Sequence, residues 1–213
     1  MMLVSLFLSA FVTFFVVIDP PGCAPIFAGL TRGGSGAYRR SMALRSTGIA
    51  TIILILFALV GEPLLTTLGI SLDAFRIAGG IMVFLIAIEM VFEKRTERRE
   101  GRVEEITRTR AEEHREEPED ISVFPMGIPM IAGPGSIATV MLVTARNHGL
   151  HLMVVLAALA AVLLTTLISL LAAGPIMRVL GDKLEAVITR ILGVLLAALA
   201  AQYVIDGVKA SFS

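Results

Sequence analysis

The strongest constraint on this chain is an interruption. Residues 2–31 form a long apolar run cut by Ile18-Asp19-Pro20-Pro21-Gly22-Cys23-Ala24-Pro25. A Pro-Pro-Gly run cannot continue a regular α-helix, because proline lacks the amide donor and clashes with the preceding turn while glycine loosens the backbone. A related run, Ala132-Gly133-Pro134-Gly135-Ser136, interrupts a second apolar segment. In lipid, broken backbone survives only where protein buries it or where it lines a wet cavity. An aspartate beside the break is costlier still, so Asp19 is read as functional. Two matching breaks in two halves of one chain point to the binding site of a transporter.

Composition agrees with a membrane protein. The chain is 56% hydrophobic, against about 45–50% for soluble domains. Eight of the 18 basic and eleven of the 18 acidic residues are crowded into residues 93–120, which leaves the remainder strongly apolar. Within that block opposite charges recur three or four residues apart, the spacing of a solvated linker. A net charge of zero and the lack of a basic stripe argue against nucleic acid as a partner. The single cysteine, Cys23, excludes an internal disulfide and a cysteine-based metal cluster. His114, His148 and His151 lie in loop-like contexts and suggest no metal site. Met1-Met2-Leu3-Val4 lacks the positive start of a signal peptide, so the first run is read as a retained crossing.

Six crossings are expected, each on the order of 20 residues once its flanks are counted. Repeat 1 covers residues 1–92, with crossings at about 2–31, 46–68 and 75–92. A charged cytoplasmic linker covers 93–120. Repeat 2 covers 121–213, with crossings at about 121–146, 150–173 and 187–206. The halves align at a nearly constant offset: Pro21-Gly22 falls on Pro134-Gly135, Cys23 on Ser136, Gly69 on Gly181 and Glu89 on Gln202. Three crossings per half is odd, so the second half must lie upside down relative to the first. The expected fold class is an all-α membrane protein of six crossings, built as two inverted-topology three-helix repeats with a discontinuous first helix in each. With both termini outside, fifteen Lys and Arg residues fall inside and three (Arg76, Arg146 and Lys209) outside, which sets the orientation.

The breaks also suggest chemistry. A half-helix ending near Ile18 leaves carbonyls without partners, and one starting near Cys23 leaves amides free. Pro25 suits the first turn of that second half-helix, and Ser136 is a preferred N-cap residue at the matching place. If the two breaks meet near the bilayer centre, free amides from both form an anion-binding end, and Asp19 supplies the opposite sign. The expected substrate-binding residues are therefore Asp19, Pro20, Pro21, Gly22, Cys23, Gly133, Pro134, Gly135 and Ser136. The expected ligand is a small zwitterionic solute, with its carboxylate on the amides and its ammonium near Asp19. Asp19 is also the candidate for a coupling ion, sodium or proton; no other cofactor and no metal site is expected. Cys23 either packs or faces the cavity. Gly79-Gly80 and Gly193 are expected to allow close helix packing. Thr51, Thr165, Thr166 and Ser169 either line a path or knit helices together.

Asp19-Pro20-Pro21-Gly22-Cys23-Ala24-Pro25-Ile26-Phe27, followed by Leu30-Thr31, resembles the Asp-Pro-x-Gly-Asn-x-Pro-Ile-Phe signature of the MarC family of integral membrane proteins. Ile128-Pro129-Met130-Ile131-Ala132-Gly133-Pro134-Gly135-Ser136-Ile137 resembles that family's second signature. The resemblance covers essentially the whole chain, with one departure: Cys23 stands where the family usually has Asn. It implies a prokaryotic plasma-membrane protein. Some relatives are described as ion-driven transporters of small neutral amino acids such as glycine and alanine. The expected function is thus a secondary transporter of that class rather than an enzyme. The alternatives are an exporter or channel for another small solute, or a non-transporting membrane scaffold. Association with further copies of the chain is left open.

Overall fold

A computed structural model describes residues 2–92, 101 and 120–212, with 177–186 described as backbone only. The charged linker expected over 93–120 lies outside the described residues apart from Gly101 and Asp120. Among the described residues there is no strand. In hydrocarbon every backbone donor and acceptor must be satisfied within its own segment, so apolar runs of this length settle as helices. They are α1 (Met2–Ile18), α2 (Pro20–Leu30), α3 (Gly36–Thr67), α4 (Leu72–Val91), an irregular helical segment α5 (Ser122–Ile131), α6 (Pro134–Ala145), α7 (Leu150–Leu171) and α8 (Ala173–Ser211).

Five stretches are long and apolar enough to cross a membrane: Met2–Leu30, Gly36–Thr67, Leu72–Val91, Leu150–Leu171 and Val187–Ser211. The pair α5 and α6, bent by 54° at their junction, makes a sixth if it is counted as one crossing. Helix α3 runs through Gly61-Glu62-Pro63 without stopping. Its 32 residues span about 48 Å at 1.5 Å each, more than the ~30 Å hydrocarbon core. Its N-terminal turns, with Arg39, Arg40 and Arg45, therefore extend beyond the apolar layer. Its buried residues (Met42, Ala43, Ser46, Thr47, Ala50, Leu54, Gly61 and Leu65) recur every three or four positions and form one seam. That seam meets α5, α6 and α7.

The buried side chains form two clusters. The larger draws on α1, α2, α3, α5, α6 and α7, with Phe14, Ile18, Phe27, Leu54, Ile131 and Leu159 among its fully buried members. The smaller joins Val16 and Val17 of α1 to Val83, Ala87 and Met90 of α4 and to Leu196 and Ala200 of α8. Helix α4 packs along its length against the C-terminal part of α8. A Cβ on Gly207 would lie 3.0 Å from the Asp73 carbonyl oxygen, one on Gly80 3.0 Å from that of Ala200, and one on Gly193 3.1 Å from the Val91 amide nitrogen. Ascending positions on one helix meet descending positions on the other, so the pair is antiparallel. Small residues let the two backbones approach, as expected of Gly80 and Gly193.

Candidate functional site

At the first interruption Asp19 has φ 59° and ψ 63°, and it is the one described residue other than glycine with positive φ. Aspartate tolerates this left-handed turn because its short side chain finds a local hydrogen bond. Here the Gly22 amide donates to Asp19 Oδ1 at 3.1 Å, which makes Asp19 the N-cap of α2. Pro20 and Pro21 occupy the first two helical positions, where a missing N–H costs nothing. The Cys23 amide bonds to the Asp19 carbonyl at 3.1 Å. The Cys23 thiol donates to the Ile18 carbonyl at 3.6 Å.

This differs from the expectation that α2 would start near Cys23 and present free amides. It starts at Pro20, and its first four residues offer no spare donor: two are prolines, one amide is capped by Asp19 and one closes a turn. Pro25 therefore lies inside α2, not in its first turn, and takes the ladder donor away from the Pro21 carbonyl. The polar groups at this break are acceptors: the Asp19 carboxylate that caps α2, and the Pro21 carbonyl. Asp19 is 1% exposed and Cys23 0%. A Cβ on Gly22 would collide with the Asp19 carboxylate, so only glycine fits under this cap.

The second interruption is longer than the Gly-Pro-Gly run alone. Phe124 and Ile128 have extended backbone (φ −126° and −128°) inside α5. Each precedes a proline, whose ring disfavours the helical region for the residue before it. The Phe124-Pro125 and Ile128-Pro129 peptide bonds are cis. The remaining bonds reach five residues back, Met126 N to Ile121 O and Ala132 N to Gly127 O. Helix α6 then begins with Gly133 as N-cap and Pro134 in the first turn, and no side chain caps it. Ser136, expected as the N-cap, is instead the third residue of the helix. The Ile137 amide bonds to the Gly133 carbonyl at 3.0 Å. The amides of Gly135 and Ser136, ahead of it, are donors that the helix itself does not use.

The two interruptions are brought together. A Cβ on Gly135 would sit 3.8 Å from Val17 Cγ1, two residues before Asp19, and would collide with Ile86 of α4. Of the nine expected site residues, Asp19, Pro20, Gly22, Cys23, Gly133, Gly135 and Ser136 are buried, Pro21 is half-buried and Pro134 is exposed. The breaks are thus packed shut in this conformation. An open cavity of about 460 Å³ lies close by, between α1 and α8, lined by Leu8, Ser9, Val12, Thr13, Val16 and leucines of α8. It ends at Val16, less than a turn from the first break.

Thr51, Thr165 and Thr166 donate to the carbonyls four residues earlier in their own helices, at 2.7–2.9 Å. They satisfy themselves rather than line a path or tie helices. Among the described residues, the hydroxyls of Ser46, Thr47 and Thr139 are buried without a hydrogen-bond partner. Thr139 is the one close to a break, one turn past Gly135 on α6. Glu89 is half-buried and Gln202 exposed, the latter donating to Asp206 at 2.6 Å. No group of three or more His, Cys, Asp or Glu side chains able to hold a metal occurs among the described residues.

Charged groups gather at two ends. Arg45 pairs with Asp120 at 2.7 Å, and the Ser122 hydroxyl and amide both donate to Asp120. Those two Ser122 hydrogen bonds, then Arg45, hold the Asp120 carboxyl below its ordinary value. At the other end Arg146 pairs with Asp206 at 3.3 Å, Arg76 with Asp73 at 3.1 Å and His148 with Glu62 at 3.8 Å.

Comparison with known proteins matches residues 4–212 to the model of the MarC family integral membrane proteins. A protein named UPF0056 membrane protein from Archaeoglobus fulgidus is 36% identical over 205 residues, 95% of this chain and 92% of that one. UPF0056 membrane protein YvbG of Bacillus subtilis is 36% identical over 214 residues, 99% and 98% of the two chains. UPF0056 membrane protein YhcE of Escherichia coli is 32% identical over 204 residues, 95% and 91%. No solved structure matches. With both interruptions, the apolar helices and a match over nearly its whole length, the chain belongs to the MarC family of integral membrane proteins.

Proposed function

We propose that the chain is a secondary transporter of small neutral amino acids, of the glycine and alanine class, driven by an ion gradient across a prokaryotic plasma membrane. The observation that carries the proposal is the opposite character of the two breaks. The first offers acceptors, Asp19 and the Pro21 carbonyl. The second offers donors, the Gly135 and Ser136 amides at the positive end of α6. Contact between Val17 and Gly135 makes the breaks neighbours. A zwitterion satisfies both, with its ammonium on the Asp19 side and its carboxylate on the α6 amides. The close crowding at Gly22, Gly133 and Gly135 suits a solute with a small side chain. Asp19 doubles as the site of a coupling sodium ion or proton, and the process needs no catalytic residue and no further cofactor.

An inverted repeat of two three-crossing halves, residues 1–92 and 121–213, fits the packing. Exchanging the halves keeps most of the principal neighbours. Helices α1 and α2 lie on α7 as α5 and α6 lie on α3, and α4 lies on α6 as α8 lies on α2. The antiparallel α4–α8 pair agrees with a two-fold axis in the membrane plane. The two charged ends support an orientation with Arg39 and Arg45 inside and Arg76 and Arg146 outside.

One observation favours a scaffold: the first break satisfies much of its own polar character through the Asp19 cap and the Cys23 thiol. Uptake by proteoliposomes separates the readings. A panel of labelled amino acids, with and without sodium and proton gradients, should give saturable, gradient-dependent uptake of glycine and alanine. Non-saturating, gradient-independent flux would indicate a channel, and no flux at all a scaffold.

A further inference from the structure

One face of α6 is sealed along its whole length against the α4–α8 pair. Gly135 lies under Ile86 of α4. One turn on, Ala138 and Leu142 close over Gly79 of α4, where an added Cβ would stand 3.5 Å from the Ala138 Cβ and 3.0 Å from Leu142 Cδ1. At the last turn Arg146 pairs with Asp206 of α8 at 3.3 Å. Positions 135, 138, 142 and 146 fall on one stripe of a helix. The stripe leads from the uncapped amides of the second break to the end of the bundle.

The two sides of this seam are built differently. On one side α4 and α8 are locked backbone to backbone through Gly80, Gly193 and Gly207. On the other side α6 belongs with α3, as the contact of Gly61 with Met141 shows. The small buried cluster of Val16, Val17, Val83 and Leu196 ties the α4–α8 pair to α1 and has no member on α6. Neither buried cluster has members on both α6 and α4, and an ion pair closes the outer end of their seam. Both partners are about a third exposed, with side-chain exposures of 37% and 31%, so water reaches the pair and it can be exchanged for hydration.

We infer that Arg146 and Asp206 form a latch, and that the α4–α8 pair swings from α6 as one arm when the latch opens, uncovering a route down the 135–138–142 stripe to the second break. The latch rests on packing, while what travels the route rests on the transporter reading.

The test uses the full chain in proteoliposomes, with Cys23→Ala to remove the native thiol and Leu142→Cys as reporter. Leu142 is 2% exposed, so its cysteine should react slowly with a membrane-impermeant methanethiosulfonate while the latch is closed. Adding Asp206→Asn should speed the reaction about fivefold, the scale of a partly exposed ion pair. Combining Arg146→Asp with Asp206→Arg, which rebuilds the pair with its charges exchanged, should return it to the slow rate. If Asp206→Asn does not accumulate in the membrane, Arg146→Gln carries the same test. Labelling that ignores loss of the ion pair overturns the latch, and so does an exchanged pair that labels as fast as the single variant. Uptake measured on the same vesicles keeps the two proposals apart. Latch-dependent labelling without uptake supports the latch while the transporter reading fails. Uptake with latch-independent labelling overturns the latch alone.

Discussion

Asp19 caps α2 by accepting the Gly22 amide proton at 3.1 Å, and Gly22 in turn has no room for a side chain because the Asp19 carboxylate occupies that space. Acid and glycine form one unit. The acid holds the left-handed turn that lets α1 stop and α2 start, and the glycine lets the acid fold back over the helix end. A carboxylate that is 1% exposed in an apolar bundle is costly. The capping bond and the positive end of α2 offset part of that cost.

Gly22→Ala should therefore dislodge the cap. Loss of an N-cap costs about 1 kcal/mol, so the unfolding midpoint in detergent should fall by about 2–4 °C. Ala in place of Gly48, where nothing lies within 4 Å of an added Cβ, should leave the midpoint unchanged or raise it.

The α4–α8 contact should be equally intolerant. At Gly80 an added Cβ would meet the Ala200 carbonyl oxygen at 3.0 Å, and backbone cannot step aside as a flexible side chain can. Gly80→Val should destabilise the protein by about 1–3 kcal/mol, read as a lower midpoint in thermal unfolding followed by size-exclusion chromatography.

Thr139 gives the opposite sign. Its buried hydroxyl has no partner among the described residues, so Thr139→Val removes an unsatisfied group at nearly constant volume. The variant should be as stable as the parent or more stable by up to about 1 kcal/mol. If the hydroxyl meets the solute one turn past the Gly135 amide, the same variant should raise the KM for glycine uptake.

These elements differ in how readily the sequence shows them. The interruption at Asp19 is legible because Pro-Pro-Gly beside an acid in an apolar run admits few conformations, and the glycines of α4 and α8 announce close packing. The start of α2 is not legible to within a turn. Pro20 and Pro21 look like breakers, yet both fit the first turn of a helix once Asp19 takes the left-handed conformation. The irregularity of α5 is hidden for a related reason: Pro125 and Pro129 shift their distortion onto Phe124 and Ile128, one residue earlier. Glu62 and Pro63 do not stop α3, because both are exposed at the bundle's end, where a lost ladder bond can be made to water. Partnering of hydroxyls is invisible in sequence. Thr51 and Thr139 are the same residue type in similar apolar helices, and only the structure separates the one that bonds its own helix from the one that does not.

The Arg45–Asp120 pair should respond to pH. The carboxyl is held below its ordinary value of 3.8 by the two Ser122 hydrogen bonds and then by Arg45. A depressed carboxylate adds stability above the unfolded-state value and loses it as pH falls through the folded-state value. A carbon-detected titration of the Asp120 carboxyl should give a midpoint below 3.8, and Ser122→Ala should move it upward.

Coupled transport depends most directly on the Asp19 carboxylate. Asparagine also caps helices and tolerates the left-handed turn, so Asp19→Asn should insert and fold like the parent while lacking the acceptor charge that the ammonium or coupling ion requires. The decisive measurement is gradient-driven uptake of labelled glycine and alanine by proteoliposomes holding equal amounts of folded parent and Asp19→Asn protein. Saturable uptake by the parent and none above background by the variant is the predicted result; equal uptake by both would contradict it.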